Sequence, residues 1–163
     1  MEIWDLYDIN RNKIGKTHQR GIEIPEGCFH LVVRAWVKND KDEVLLSKRH
    51  PHKPFGGFWE NTGGSAIQGE NSLQAVLREV SEEIGLQLIP EDGKLILQQT
   101  KNVSHQDIWL FRSNVAIDEL SFQEDEVVDA MWVDKGKYYD MQNEGLIVPT
   151  ISVFSAWEDK PYI

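Results

Sequence analysis

Glu79, Glu82 and Glu83 crowd onto one short stretch whose apolar residues recur at helical spacing. At about 100° per residue, the three carboxylates span a sector opposite the stripe formed by Leu73, Val76, Leu77, Val80 and Ile84. Like-charge pairs three and four residues apart cost a helix roughly 0.2–0.5 kcal/mol each. These pairs also stand near the negative end of the helix dipole, where carboxylates are disfavoured. Arg78, four residues before Glu82, is the one source of local relief. A solvated acidic face is the plain reading of such a cluster. The chemical reading is that three converging carboxylates are what a hard divalent cation such as Mg²⁺ requires.

The carrier of these residues is a predicted helix over 72–84. Asn71 followed three residues later by Gln74 has the form of a capping box, and Gly85 stands where a helix stop is expected. Upstream, residues 3–8 and 13–18 read as a hairpin around Asn10-Arg11-Asn12, and 30–37 as a strand buried on both faces. A polar turn leads to a strand over 43–48, after which Pro51, Pro54 and Gly56-Gly57 break the chain into a loop. A second glycine pair, Gly63-Gly64, reads as a turn. Downstream, 95–100, 108–112 and 127–133 read as strands, and 135–143 and 149–157 as helices. No linker or repeat divides the chain, so one domain over 1–163 is expected.

Composition narrows the classes of function. The chain has 163 residues, with 17 Lys and Arg against 27 Asp and Glu, a formal charge of −10. It lacks the basic footprint that grips nucleic-acid phosphates, so no nucleic-acid partner is expected. The single cysteine, Cys28, allows neither an internal disulfide nor a Cys/His zinc pattern, and is expected to pack as a small buried hydrophobe. The acidic N-terminus is not followed by a continuous apolar run, and no stretch approaches membrane-span length. A soluble, cytoplasmic protein without a membrane partner is the expectation.

Gly64, Glu70, Arg78, Glu79, Glu82, Glu83 and Gly85 stand in the spacing G-x₅-E-x₇-R-E-V-x-E-E-x-G-L. At a background of roughly 7% per fixed residue, the chance of seven matches is on the order of 10⁻⁸ per window. Over 64–86 the pattern resembles the Nudix box, and the Phe58-Trp59 pair before it and the 127–134 strand after it are similar to the rest of that family. The resemblance implies an α+β class, with the Nudix fold as an α/β/α sandwich, a mixed β-sheet and a loop–helix–loop catalytic motif. It implies Mg²⁺ or Mn²⁺ on Glu79, Glu82 and Glu83, with the Gly64 carbonyl as a further ligand. Arg78 would orient the glutamates and Glu70 would brace the loop against the helix. The implied reaction is cleavage of a nucleoside diphosphate linked to another moiety, or a similar small diphosphate, by water attacking phosphorus. The cation would let an acidic protein bind a polyanion.

The N-terminal half resembles one branch of the family, the isopentenyl-diphosphate isomerases, through Trp4-Asp5, Thr17-His18, His30 and Trp59-x-Asn61. In that alignment Gly63 stands at the catalytic cysteine position and Ser65 at a metal-binding histidine position. Isomerase-like activity, or a binding domain without turnover, are the alternatives to hydrolysis. His18 and His30 are expected to be structural or substrate-contacting, and Asp107 is a weak further candidate. Arg49, in the basic run Lys48-Arg49-His50 with His52 and Lys53, is a candidate for substrate phosphates. Trp59 is a candidate for stacking on a base, with core packing as its other fate. The general base is open between Glu79 and a late-loop acid, Glu124 or Glu126. The expected partner is a small nucleotide or other diphosphate, and homodimerisation is left open.

Overall fold

The structure, a computed structural model, describes residues 1–149 and 157. Strands β1 (Ile3–Tyr7) and β2 (Lys13–Gln19) form an antiparallel hairpin of their own. The main sheet has seven strands: β3 (His30–Lys38), β4 (Val44–Arg49), β5 (Trp59–Glu60), β6 (Thr62–Ser65), β7 (Lys94–Lys101), β8 (Ser104–Arg112) and β9 (Val127–Val133). β3 and β8 run parallel over their full length, while β3–β6, β4–β9, β4–β5 and β7–β8 are antiparallel. The sheet is therefore mixed. Helix α1 (Ser72–Ile84) and helix α2 (Lys135–Asn143) cover its two faces.

Strand alternation explains the sandwich. In β3, Val33, Ala35 and Val37 pack with α1 residues Val76, Val80 and Ile84, while Trp36 points to the other face with Tyr138 and Met141 of α2. In β4, Leu45 joins the α1 side and Val44 and Leu46 the α2 side. The expected apolar stripe of α1 is thus the face that docks, with Ala75 added to it.

The α1 termini follow from local chemistry. The Asn71 side chain accepts from Gln74 N at 2.8 Å, and the Gln74 side chain accepts from Asn71 N at 2.9 Å. Trp109 Nε1 of β8 donates to Ser72 Oγ at 2.9 Å, fixing the helix start on the sheet. Gly85 ends the helix in the left-handed region at φ 68°, which disfavours side chains.

The β1–β2 hairpin is docked onto the loop that precedes α1. Gln68 N donates to Ile3 O and Gly69 N to Asp5 Oδ2, both at 2.8 Å. Trp4 stacks on His30 with ring centroids 4.2 Å apart, and Arg11 pairs with Asp107 at 2.6 Å.

One expectation needs revising. Gly63-Gly64 lies within strand β6, paired with Val33 and Arg34 of β3, and is not a turn. The helix expected over 149–157 lies outside the described residues, which stop at 149 apart from Trp157. The helix expected over 135–143 is α2.

Candidate active site

Arg78 organises the polar side of α1. Its Nε and Nη2 donate to the two oxygens of Glu70 at 2.6 and 3.0 Å, a forked pair. Nη2 also donates to Ser65 O at 3.1 Å, and Nη1 donates to Glu79 at 3.0 Å and Glu82 at 3.1 Å. Glu70 in turn accepts from Ile67 N at 2.9 Å. The loop between β6 and α1 is thereby held to the helix through one guanidinium, whose hydrogen bonds to Glu70 raise its pKa further above the usual range.

The three glutamates differ in environment. Glu82 is 54% exposed at its side chain and turned toward Arg78. Glu79 is largely enclosed. Desolvation raises its pKa, and Arg78 pulls the other way. Glu83 is only 8% exposed. Burial, then the neighbouring Glu79 carboxylate, push its pKa up to about 7, with Lys53 and Arg34 opposing. At about 100° per residue only Glu82 lies opposite the apolar stripe, whereas Glu83 falls roughly 20° from Val76, at the edge of the docked face. It is buried because a late loop closes over the end of α1: Ser121 N donates to Ile84 O at 3.1 Å and Gln123 N to Glu83 O at 2.9 Å.

These residues line a polar cavity of about 340 Å³. Gly64, Arg78, Glu79, Glu82 and Glu83 line it together with Arg49, Lys53, Gln123 and Glu126 from two loops, and Glu2 and Arg20 from the ends of the hairpin. A Cβ at Gly64 would come within 2.5 Å of the Glu79 carboxylate, so any side chain there would push that carboxylate out of place. At Gly63 a Cβ would lie 2.2 Å from Val33 O, so this backbone has no room for the side chain of a cysteine.

The donor set fits a hard divalent cation. Its side chains are all carboxylates, one of them buried against its own solvation preference and another close to it. Among the described residues, no three acidic, imidazole or thiol groups are drawn together as a ready-made cage. Arg78 holds Glu79 and Glu82 instead.

The NUDIX domain family matches residues 29–148, most of the chain. The chain belongs to the Nudix family. An uncharacterized Nudix hydrolase of Listeria monocytogenes is 34% identical over 151 residues, spanning 91% of this chain and 89% of that protein. An isopentenyl-diphosphate Delta-isomerase of Mycolicibacterium vanbaalenii is 28% identical over 139 residues, 81% of this chain and 77% of the isomerase. A crystal structure from Deinococcus radiodurans shares the fold, with a TM-score of 0.73 at 19% identity over 90% of this chain and 92% of that one.

Within this Nudix hydrolase, several residues singled out in the sequence stand elsewhere. Trp59 is 8% exposed and packs in the α2-side core with Lys48 Nζ over its ring, so the base-stacking role does not hold. It is drawn inward because β5 pairs with β4 and Trp59 N donates to Leu146 O. Arg49 does line the cavity, but its guanidinium is engaged by Glu60 at 2.8 Å and Pro54 O at 2.7 Å. Glu60 is shared with Arg34 at 3.0 Å, a buried acid between two arginines that sequence reasoning missed. Two opposite charges inside otherwise apolar strands were the available signal.

His30 is half-buried against Trp4, and this desolvation pulls its pKa down to about 4; its Nδ1 lies 3.5 Å from Ser65 Oγ. His18 meets Ile22 O at 2.9 Å, and neither histidine lines the cavity. Asp107 is a buried partner of Arg11. Cys28 is half-buried and not part of the core. Of the late-loop acids, Glu126 reaches the cavity and Glu124 is exposed outside it. Glu2, Arg20 and Gln123 also line the site, although no motif marked them.

Proposed function

We propose that the protein is a Mg²⁺- or Mn²⁺-dependent pyrophosphohydrolase acting on a nucleoside diphosphate linked to another moiety, or a similar small diphosphate. The observation that carries this reading is the buried Glu83 carboxyl beside Glu79 on the wall of a polar cavity. A folded protein has no use for so costly a carboxylate pair unless a cation relieves it. Glu79, Glu82, Glu83 and the Gly64 carbonyl are the residues that would hold the metal. Bound there, a divalent cation supplies charge neutralisation on phosphate oxygens and a more acidic water. Arg78 positions Glu79 and Glu82 and keeps the β6–α1 loop against the helix. Glu79 or Glu126 accepts the proton of the attacking water; both face the cavity.

The reading includes one domain over 1–163, a small-molecule partner and a cytoplasmic location. Isomerase activity is disfavoured by the lack of space at Gly63, despite the isomerase relatives. Incubating the protein with a panel of nucleoside diphosphate derivatives and Mg²⁺, with mononucleotide product as the readout, tests the proposal. Mg²⁺-dependent product that disappears in Glu79→Gln supports it. No product from any compound overturns it.

A further inference from the structure

Among the described residues, Arg11, Asp42, Phe55 and Asn102 hold a positive φ without being glycine. Asp42 and Asn102 have the short polar side chains that tolerate such a backbone. Arg11 is fixed there by its contacts, since its guanidinium binds Asp107 and the carbonyls of Gln99 and Gln106. Phe55, at φ 56°, has neither reason. A bulky side chain in the left-handed region is strained, and burial offsets little of that, because Phe55 is 44% exposed. Two glycines follow it, each where the backbone needs one: a Cβ at Gly56 would lie 2.2 Å from Pro51 O, and Gly57 has a φ of 81°. A glycine would relieve position 55 in the same way, so the ring there costs the fold stability.

The position of the ring gives the strain a use. Pro54, just before it, lines the cavity of the glutamates, and its carbonyl accepts from Arg49 Nε at 2.7 Å. Phe58, just after it, lines a second cavity of about 320 Å³ with Tyr138, Gln142, Ile147 and Val148. Phe58 N donates to Phe55 O, and Arg49 N donates to Phe58 O. A single turn of chain therefore separates the two cavities, and Phe55 stands in it. Its ring lies 5.8 Å from that of Phe58, tilted by 55°. The second cavity has the size that takes a small organic group, with mostly apolar walls and one amide, from Gln142.

We propose that Phe55 determines specificity: its strained turn presents the ring, beside Phe58, as the seat for a planar aromatic group carried on the diphosphate, while the diphosphate itself occupies the cavity of the glutamates. The inference rests on the diphosphate reading above and deepens it, because it selects a flat, π-faced moiety such as a nucleobase over an aliphatic one. Stacking on an aromatic ring gives affinity without reading the edge of a base, so the seat sorts substrates by shape. Trp59, the aromatic neighbour of Phe58, is turned into the core and takes no part.

Calorimetry on the full-length protein with Mg²⁺ compares three ligands that water cannot cleave between the phosphorus atoms: methylenediphosphonate, its adenosine ester and its hexyl ester. Wild type should bind the adenosine ester about tenfold tighter than methylenediphosphonate, the scale of one base stacked on an aromatic side chain, and should gain less from the hexyl ester. Phe55→Ala and Phe55→Gly should lose the adenosine gain while binding methylenediphosphonate as before, and Phe55→Trp should keep it. Phe55→Gly should also melt no lower than wild type, because glycine adopts this φ without strain; a ring that serves packing alone predicts the opposite. The proposal is overturned by an adenosine gain that survives in Phe55→Ala and Phe55→Gly, by a hexyl gain equal to it in wild type, by equal losses for all three ligands, or by a Phe55→Gly protein that melts well below wild type. Variants that change the mass of the protein in sedimentation and leave every affinity unaltered overturn it too, and make the ring a contact between copies of the chain. Wild type that binds none of the three ligands overturns the seat together with the diphosphate reading. Binding of methylenediphosphonate without an adenosine gain overturns the seat alone and leaves that reading standing.

Discussion

Replacing Glu83 by Gln should make the metal-free protein more stable at pH 8, although the replaced residue belongs to the proposed active site. Burial and Glu79 raise the Glu83 pKa from 4.5 to about 7. Folding therefore favours its protonated form. The stability this contributes is fully present below pH 4.5, is lost as the pH rises to about 7, and stays lost above it. The loss corresponds to about 3 kcal/mol at 1.36 kcal/mol per pK unit. For a chain of this size that is a shift of roughly 6–12 °C in melting temperature. His30 acts in the opposite sense between about pH 4 and 6.5, because burial makes the folded state refuse a proton that the unfolded chain accepts. The wild-type curve alone therefore mixes the two effects, but the difference between wild type and Glu83→Gln cancels His30. The assay is thermal melting of both proteins in EDTA from pH 5 to 8. The melting temperatures should lie close together at pH 5 and diverge with rising pH, the variant being the more stable. Mg²⁺ should then raise the wild type by more than the variant. A variant that melts below wild type at pH 8, or a difference that does not change with pH, would refute the argument that Glu83 is a strained carboxylate.

Glu79→Gln should lower kcat by about 10²-fold or more, the scale of removing one charge-stabilising group from a site, with circular dichroism unchanged. Gly64→Ala pushes a methyl group against the Glu79 carboxylate, so kcat in steady-state assays should fall while melting moves little, since a side-chain end can yield. Arg78→Lys keeps the charge but loses the fork to Glu70 and the reach to Ser65 O. It should cost about 2–3 kcal/mol by urea denaturation and reduce activity together with stability. Trp59→Phe should destabilise the protein by about 1–3 kcal/mol yet leave the KM of the folded enzyme unchanged, which an unstable but normally binding variant in kinetic assays would show.

How far the sequence discloses this arrangement depends on whether a signal is local. The bounds of α1 are readable because the Asn71–Gln74 box and Gly85 act within one turn of the helix they delimit. The forked role of Glu70 with Arg78 is legible through the family spacing. By contrast, β6 is hidden behind its glycines: in a sequence they mark a turn, whereas here the missing side chain of Gly63 lets the strand press against β3 and that of Gly64 leaves room for Glu79. The burial of Glu83 depends on Gln123, forty residues later, closing over the helix end, and no helical projection contains that loop. Trp59 and Phe58 are neighbours in sequence, but only the pairing of β5 with β4 decides that Trp59 turns into the core. The opposite charges of Arg34 and Glu60 are visible as letters, and only the fold shows them in contact.

The docked hairpin bears on how a catalytic loop can be retuned. The β6–α1 loop donates two of its hydrogen bonds to Ile3 and Asp5, and these residues precede the span that matches the family. That segment works as a splint on the loop while contributing Glu2 and Arg20 to the rim. Substitutions in β1 and β2 can thus alter the posture of the loop and the charge at the entrance while every glutamate of the helix stays as it is. Selection for a new substrate could act on this splint first, since the residues that brace the loop lie outside the span of 29–148 that the family shares.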